Sequence, residues 1–339
     1  AEAVAFTAQV HLETSGDPRQ AEALLRENLE LQRSLNDGHI TMPTSLCLLG
    51  LVRGRQGAWQ EGLGLILQGL EVGEQLNDVW AIEGALRLAA RASVNLGDLQ
   101  GAASYASRCM KVCRETGALE SVAWCKFTLA EIAKQAGQLD ESARLYAEAR
   151  ALSPPDTPQL ANATMNLGDI ALLRGQHREA RRHFEDALAS FQARRVEWGA
   201  INALENLGHL NCAEQRLSDG RTCFEQALTL ARGSHRLPLV VNSLIGLARV
   251  QHLEGALERA LELLGAAARH PALHHQTRIR YIDPALALLQ TQLSCTLYDA
   301  ALQRGERLDL DGALQLALSP PAPTEPSSLS STPSVAVPS

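Results

Sequence analysis

Every forty residues or so, this chain returns to the same landmark. Glycine stands at Gly16, Gly57, Gly97, Gly137, Gly175 and Gly255, with Gln215 in the missing slot, at spacings of 41, 40, 40, 38, 40 and 40. Seven positions before each landmark lies Gln9, Gly50, Ala90, Ala130, Gly168, Gly208 or Ala248, and five after it Ala21, Gly62, Ala102, Ser142, Ala180, Gly220 or Ala260. Seven further on come Asn28, Gly69, Cys109, Ala149, Ala187, Ala227 and Ala267, preceded three positions earlier by the mostly bulky Leu25, Ile66, Ala106, Tyr146, Phe184, Phe224 and Leu264. Such a period predicts one antiparallel helix pair per unit, turning where glycine adopts positive φ. The small residues mark helix crossings and the large one fills the adjoining layer. Each pair leaves an apolar face for its neighbour to cover, so stability is expected from stacking.

Composition agrees with an all-helical, folded chain: 45% hydrophobic, 20% charged and only 4% aromatic over 339 residues. A net charge of −7 argues against direct nucleic-acid binding, which calls for a basic surface. No apolar run is long enough to span a membrane, and no signal-peptide pattern opens the sequence. The seven cysteines are scattered and odd in number, the pattern of reduced thiols in a cytoplasmic protein. Cys109 and Cys113 stand four apart with no second pair or histidine following locally, so they read as helix packing; His270, His274 and His275 read as a polar loop. No metal and no cofactor is expected. Nucleotide, nucleophile-elbow and zincin motifs are missing from the sequence, which places no enzyme here.

The small-large-small pattern resembles the tetratricopeptide repeat, most clearly in Asn166-Leu167-Gly168 with Gly175, Ala180, Phe184 and Ala187, and in Asn206-Leu207-Gly208 with Gly220, Phe224 and Ala227. That resemblance implies an all-α, right-handed superhelical solenoid of about seven helix pairs over residues 1–270, closed by a C-terminal helical cap over 271–318. The family period is about 34 residues, so each unit here carries some extra length, and Pro154-Pro155 with Pro158 shortens one connection. In the cap, Asp283 is expected to begin a helix with Pro284 in its first position. Residues 319–339 hold six prolines, seven serines and one charge, the composition of a disordered tail.

The stretch from Leu297 to Leu318, a helix, a Gly-x-x-Leu turn and an Ala/Leu-rich last helix, resembles the C-terminus of STAND-class signalling ATPases related to the maltose-regulon activator. The chain also begins at Ala1 without a methionine. The resemblance implies a sensor arm that binds an inducer and reports to an upstream ATPase or effector domain of the same polypeptide. The alternative is a self-contained protein-interaction scaffold.

The first helices of successive pairs carry the candidate groove. Asn162, Asn202 and Asn242 stand six positions before the small residue, and Asn166 and Asn206 two before it, hence on one helix face. Asp169, His209 and Arg249 follow it by one, with Glu205 and His252 nearby. Earlier units add Arg87, Arg91, Asn95, Trp124, Phe127, Glu131 and Lys134. A polar groove with an aromatic patch suits a protein, a peptide or a small-molecule inducer. The cluster Arg178, Arg181, Arg182, Arg194 and Arg195 is interleaved with acids and reads as a charge-paired surface.

Overall fold

The landmark positions do turn the chain. Gly57, Gly97, Gly137, Gly175 and Gly255 all have φ between 72° and 95°, and Gln215 adopts the same left-handed conformation at φ 61°. A computed structural model describes residues 18–35, 41–234, 236–273 and 277–319. The first landmark, Gly16, the histidines His274 and His275, and all but the first residue of the expected tail lie outside the described residues.

Sixteen α-helices, with no strand among the described residues, follow one another: α1 (Pro18–Leu35), α2 (Met42–Arg55), α3 (Trp59–Gln75), α4 (Val79–Leu96), α5 (Leu99–Thr116), α6 (Leu119–Gln135), α7 (Leu139–Leu152), α8 (Pro158–Leu173), α9 (His177–Ala193), α10 (Glu197–Ala213), α11 (Leu217–Gly233), α12 (Leu237–Leu253), α13 (Leu257–Arg269), α14 (Asp283–Gln292), α15 (Cys295–Arg307) and α16 (Leu310–Leu318). Helices α2 to α13 form six complete pairs, and α1 is the second helix of a seventh. The extra length of each repeat goes into the helices, most of them 17 or 18 residues long, and the turns between them stay short. The prolines do not shorten the connection as expected: it runs over residues 153–157, longer than the other described connections between pairs, while α7 is cut to 14 residues and Thr157 caps α8 by accepting from the Leu160 amide.

Packing follows the small-large alternation. A Cβ on Gly168 would lie 2.8 Å from the Phe184 ring, and one on Gly208 would lie 2.7 Å from that of Phe224. Both phenylalanines are fully buried. Buried clusters run along the chain from Ala21 to Ala317, so the core is a strip rather than a ball. Inner helices also pack on one another, α2 on α4, α4 on α6, α8 on α10 and α10 on α12.

The array curls far enough to meet itself. The backbone at Gly57, between α2 and α3, approaches the loop after α13 so closely that a Cβ there would sit 2.3 Å from the Pro271 carbonyl oxygen. The cap begins with a π-helical turn, Arg278–Ile282, that runs straight into α14. Asp283 is therefore the first residue of a continuing helix and not its cap, a correction to the sequence expectation. Further on, α15 ends at Arg307, and Asp309 caps α16 by accepting from the Gly312 amide at 2.8 Å. Gly305 lets α15 lie against α13, where a Cβ would meet the Glu262 carbonyl at 2.2 Å.

Candidate binding channel

The expected groove residues lie on the inner helices α6, α8, α10 and α12, with Arg91 on α4, and several of them meet around a buried carboxylate. Asp169 on α8 is 3% exposed and accepts from Lys134 Nζ of α6 at 3.1 Å and from Arg280 Nη1 at 2.9 Å. Burial alone would raise its pKa, but Lys134 and Arg280 outweigh burial and hold the carboxyl well below the usual carboxylate range. Lys134 also donates to Glu131 Oε1 at 2.8 Å and to Asn166 Oδ1 at 3.3 Å. Asn166 Nδ2 in turn donates to the carbonyl oxygen of Asn162 at 2.9 Å.

One step along, α10 supplies Glu205 and His209, both buried. Burial pushes Glu205 up to about 8, against the lowering effect of hydrogen bonds with Ser243 and Asn242. Ser243 Oγ lies 2.8 Å from Glu205 Oε1 and 3.0 Å from the Leu239 carbonyl oxygen. One hydroxyl proton cannot serve both oxygens. A protonated Glu205 donating to Ser243, which donates to Leu239, satisfies the set. Burial, with Arg249 and Arg280 beside it, pulls His209 well below its ordinary value, so it is a neutral imidazole. Arg249 Nη1 lies 3.1 Å from His209 Nδ1 and donates to it.

The aromatic patch also forms. Trp124 and Phe127 meet edge to face at 5.8 Å, and Phe127 meets Tyr146 at 5.2 Å. The Tyr146 hydroxyl donates to Glu131. Arg87 lies over the Trp124 ring at 5.7 Å. Arg91 is one helical turn from Arg87, and Arg236, at the start of α12, is near enough to repel it across the curled array. No carboxylate pairs with Arg91 among the described residues. Asn202 and Asn206 are half-buried on the same helix as Glu205 and His209, without a described side-chain bond.

Sequence reasoning missed what fills the channel. The turn Arg278–Ile282 crosses it: Arg280 reaches Asp169 with both terminal nitrogens, and Tyr281 stacks flat on His209, with ring centres 4.5 Å apart and planes 4° apart. Thr277 Oγ1 donates to Asn242 Oδ1 at 3.2 Å, and His252 Nε2 lies 2.9 Å from Gln292 Oε1 of α14. Nothing in the forty-residue period marks these cap residues. A surface depression of about 570 Å³ is lined by Glu225, Leu228, Thr229, Arg232, Gly233 and Leu318 and shares no residue with the channel. Among the described residues no helix is long and apolar enough to cross a membrane.

A tetratricopeptide-repeat family model matches residues 199–270. No curated protein sequence matches the chain. Its fold is similar to that of NprR in complex with its cognate peptide NprX (TM-score 0.62, 15% identity, 89% of this chain and 85% of that one). It is also similar to a Rap protein complexed with competence and sporulation factor (TM-score 0.58, 14% identity, 90% and 100%), and to BtubC from P. vanneervenii (TM-score 0.50, 22% identity, 65% and 92%). With its forty-residue helix pairs and these likenesses, the chain is a tetratricopeptide-like helical-repeat solenoid.

Proposed function

We propose that the channel binds a peptide segment carrying a cationic side chain beside an aromatic one, and that Thr277–Ile282 of this chain holds the same place when no such ligand is present. The observation that carries the reading is Arg280 on Asp169 with Tyr281 on His209: a basic residue and its aromatic neighbour held by a buried carboxylate and a buried neutral ring. A charged carboxylate in a dry site demands a cationic partner, whether internal or foreign. Arg91, with Arg236 nearby, offers the complementary end for a ligand carboxylate. The cognate peptide held by NprR, a protein of similar fold, supports a peptide as the ligand class.

Displacing Thr277–Ile282 would also move α14, because the π-turn runs straight into that helix. This supports reading the chain as the sensor arm of a larger STAND-type regulator, in which an upstream ATPase or effector domain would read the shift of the cap, with no catalysis in this part. Such a switch needs a ligand of unequal affinity for the two cap positions. The scaffold reading has its own support in the close Gly305–Glu262 approach, together with Arg304 donating to Glu262 at 2.6 Å and Glu258 at 2.7 Å, which tie the cap to α13.

The probe is a fluorescent synthetic peptide covering Thr277 to Pro284, added to the full chain. Anisotropy should show binding to the Arg280→Ala/Tyr281→Ala double variant, at least tenfold weaker binding to the unaltered chain, and loss on adding Asp169→Asn. A peptide that ignores the double variant sinks the reading.

A further inference from the structure

Away from the channel, three thiols and one acid converge where α4, α5 and α6 meet. Cys109 and Cys113 lie one turn apart on α5 with their sulfurs 3.8 Å apart. Cys125 enters from α6, and all three Sγ atoms lie within 4.8 Å of one another. Their exposures are 0%, 0% and 2%. From α4 comes Glu83, 9% exposed, whose Oε1 is buried with no hydrogen-bond partner; the nearest cation is Arg87, with Nε at 3.6 Å. The Cys109 thiol donates to the Glu83 carbonyl oxygen at 3.6 Å. The Glu83 carboxylate is near enough that its charge helps push up both Cys109 and Cys113, the latter to about 12 chiefly through burial.

Packing alone explains the size of these side chains and not their chemistry. In the other pairs the slot of Cys109 holds Asn28, Gly69, Ala149, Ala187, Ala227 or Ala267, and that of Cys125 holds Ser45, Ala85, Ala163, Ala203 or Ser243. The Glu83 slot holds Pro43, Ala123, Ala161, Ile201 and Val241 in the other complete pairs, and an acid again only at Glu2 of the first unit. Only at this junction do thiols and a buried acid coincide. Glu83 Oε1 has only the ion pair with Arg87 at 3.6 Å and no hydrogen bond, and a metal ion would give it a direct bond. The sulfur spacing also fits: bonds of about 2.3 Å to a tetrahedral ion separate its thiolates by about 3.8 Å, as between Cys109 and Cys113, and the Glu83 carboxylate, outside the set of three sulfurs, would turn in as the fourth ligand.

We propose that Cys109, Cys113, Cys125 and Glu83 form a structural site for one thiophilic divalent cation of the Zn²⁺ class, with three thiolates and one carboxylate completing a closed tetrahedron. Binding exchanges three S–H protons, released to solvent, for three metal–sulfur bonds, and the Glu83 carboxylate supplies the fourth bond. The four ligands carry four negative charges. A divalent ion leaves two, one of them offset by Arg87; a monovalent soft ion such as Cu⁺ leaves three. Charge therefore favours the divalent ion, although thiolates alone accept both. The spacing of Cys109 and Cys113 carries no hint of the site because the other two ligands come from neighbouring helices.

The full-length chain, reduced and unfolded in chelator, is refolded with Zn²⁺, Co²⁺ or Cu⁺ in separate arms and passed through a desalting column. The expected result is one Zn²⁺ per chain, three protons released per ion, a thiolate-to-metal charge-transfer band in the Co²⁺ form, and a higher melting midpoint with metal than without. Cys125→Ala and Glu83→Ala put into their slots a residue the other pairs carry, so both should fold. Each should weaken Zn²⁺ binding at least tenfold, and Glu83→Ala should raise the midpoint of the metal-free chain. Cys212→Ala and Cys223→Ala should change nothing. Absence of stoichiometric Zn²⁺, equal affinity in Cys125→Ala, or retention of Cu⁺ alone with no effect of Glu83→Ala would overturn the site.

Discussion

Arg280 donates to Asp169 across the hollow of the array, from Nη1 to Oδ2 at 2.9 Å, joining residues 111 positions apart. Asp169 is shared with Lys134, so the carboxylate balances two cations inside a wall built from separate repeats. Removing it strands Arg280 and leaves Lys134 with Glu131 as its remaining acid. Asp169→Ala should destabilise the fold by about 3–5 kcal/mol, the usual result of breaking a buried pair from one side. Arg280→Ala should cost less, because Lys134 still neutralises the acid. Urea unfolding of both single variants and the double variant gives the coupling; additive effects would mean that Arg280 and Asp169 do not depend on each other.

Two buried groups on α10 set opposite pH slopes. Glu205, raised from 4.5 to about 8, binds a proton in the folded chain that the unfolded chain releases, so stability falls as pH rises from about 4.5 to 8. His209 is depressed below 6.5, so the unfolded chain takes up the proton first, and stability rises with pH up to about 6.5. The slopes oppose each other below 6.5, and only that of Glu205 remains above it. Glu205→Gln should remove the decline between pH 6.5 and 8 and be the more stable form at pH 8 by roughly 2 kcal/mol, given about 1.4 kcal/mol per pH unit for one group. Unfolding midpoints across pH 5 to 9 check this; an unchanged decline in the glutamine variant counts against a protonated Glu205.

The crossing glycines should be intolerant for a local reason. A Cβ at Gly208 falls 2.7 Å from the Phe224 ring, and one at Gly246 falls 2.3 Å from the same ring, so Phe224 is wedged between two inner helices. Gly208→Ala should cost about 1–3 kcal/mol by overpacking. Phe224→Leu alone should also destabilise, through lost volume, yet combining the two should recover part of the loss. Strict additivity in thermal melts would show that the two side chains do not compete for one space.

Much of this architecture is legible in the sequence because repetition averages out ambiguity. The turn at Gly175 is one glycine among many, but six at a fixed step define a phase, and that phase also places Gln215 in its left-handed turn. The same phase puts Asn166, Asp169, Glu205 and His209 on the inner face. It does not supply their partners. Arg280 and Tyr281 belong to a segment with no counterpart in the repeats, and a contact spanning 111 positions leaves no local signal. Glu83 is visible in principle, as an acid in a slot that is apolar in the other complete pairs.

Closure of the array can be separated from the turn chemistry that repeats along it. Gly57 and Gly175 occupy the same landmark and both have positive φ, 95° and 72°, so alanine at either brings the left-handed penalty of about 1–2 kcal/mol. Their surroundings differ. A Cβ at Gly175 meets nothing within 4 Å, whereas at Gly57 it would meet the Pro271 carbonyl at 2.3 Å. Gly57→Ala should therefore carry an additional loss and push the first pairs away from the loop after α13, opening the curl. Small-angle X-ray scattering should register a larger radius of gyration for Gly57→Ala and an unchanged one for Gly175→Ala, and thermal melts should place Gly57→Ala lower. Equal midpoints and equal radii would mean that the contact at Pro271 contributes nothing to holding the two ends of the array together.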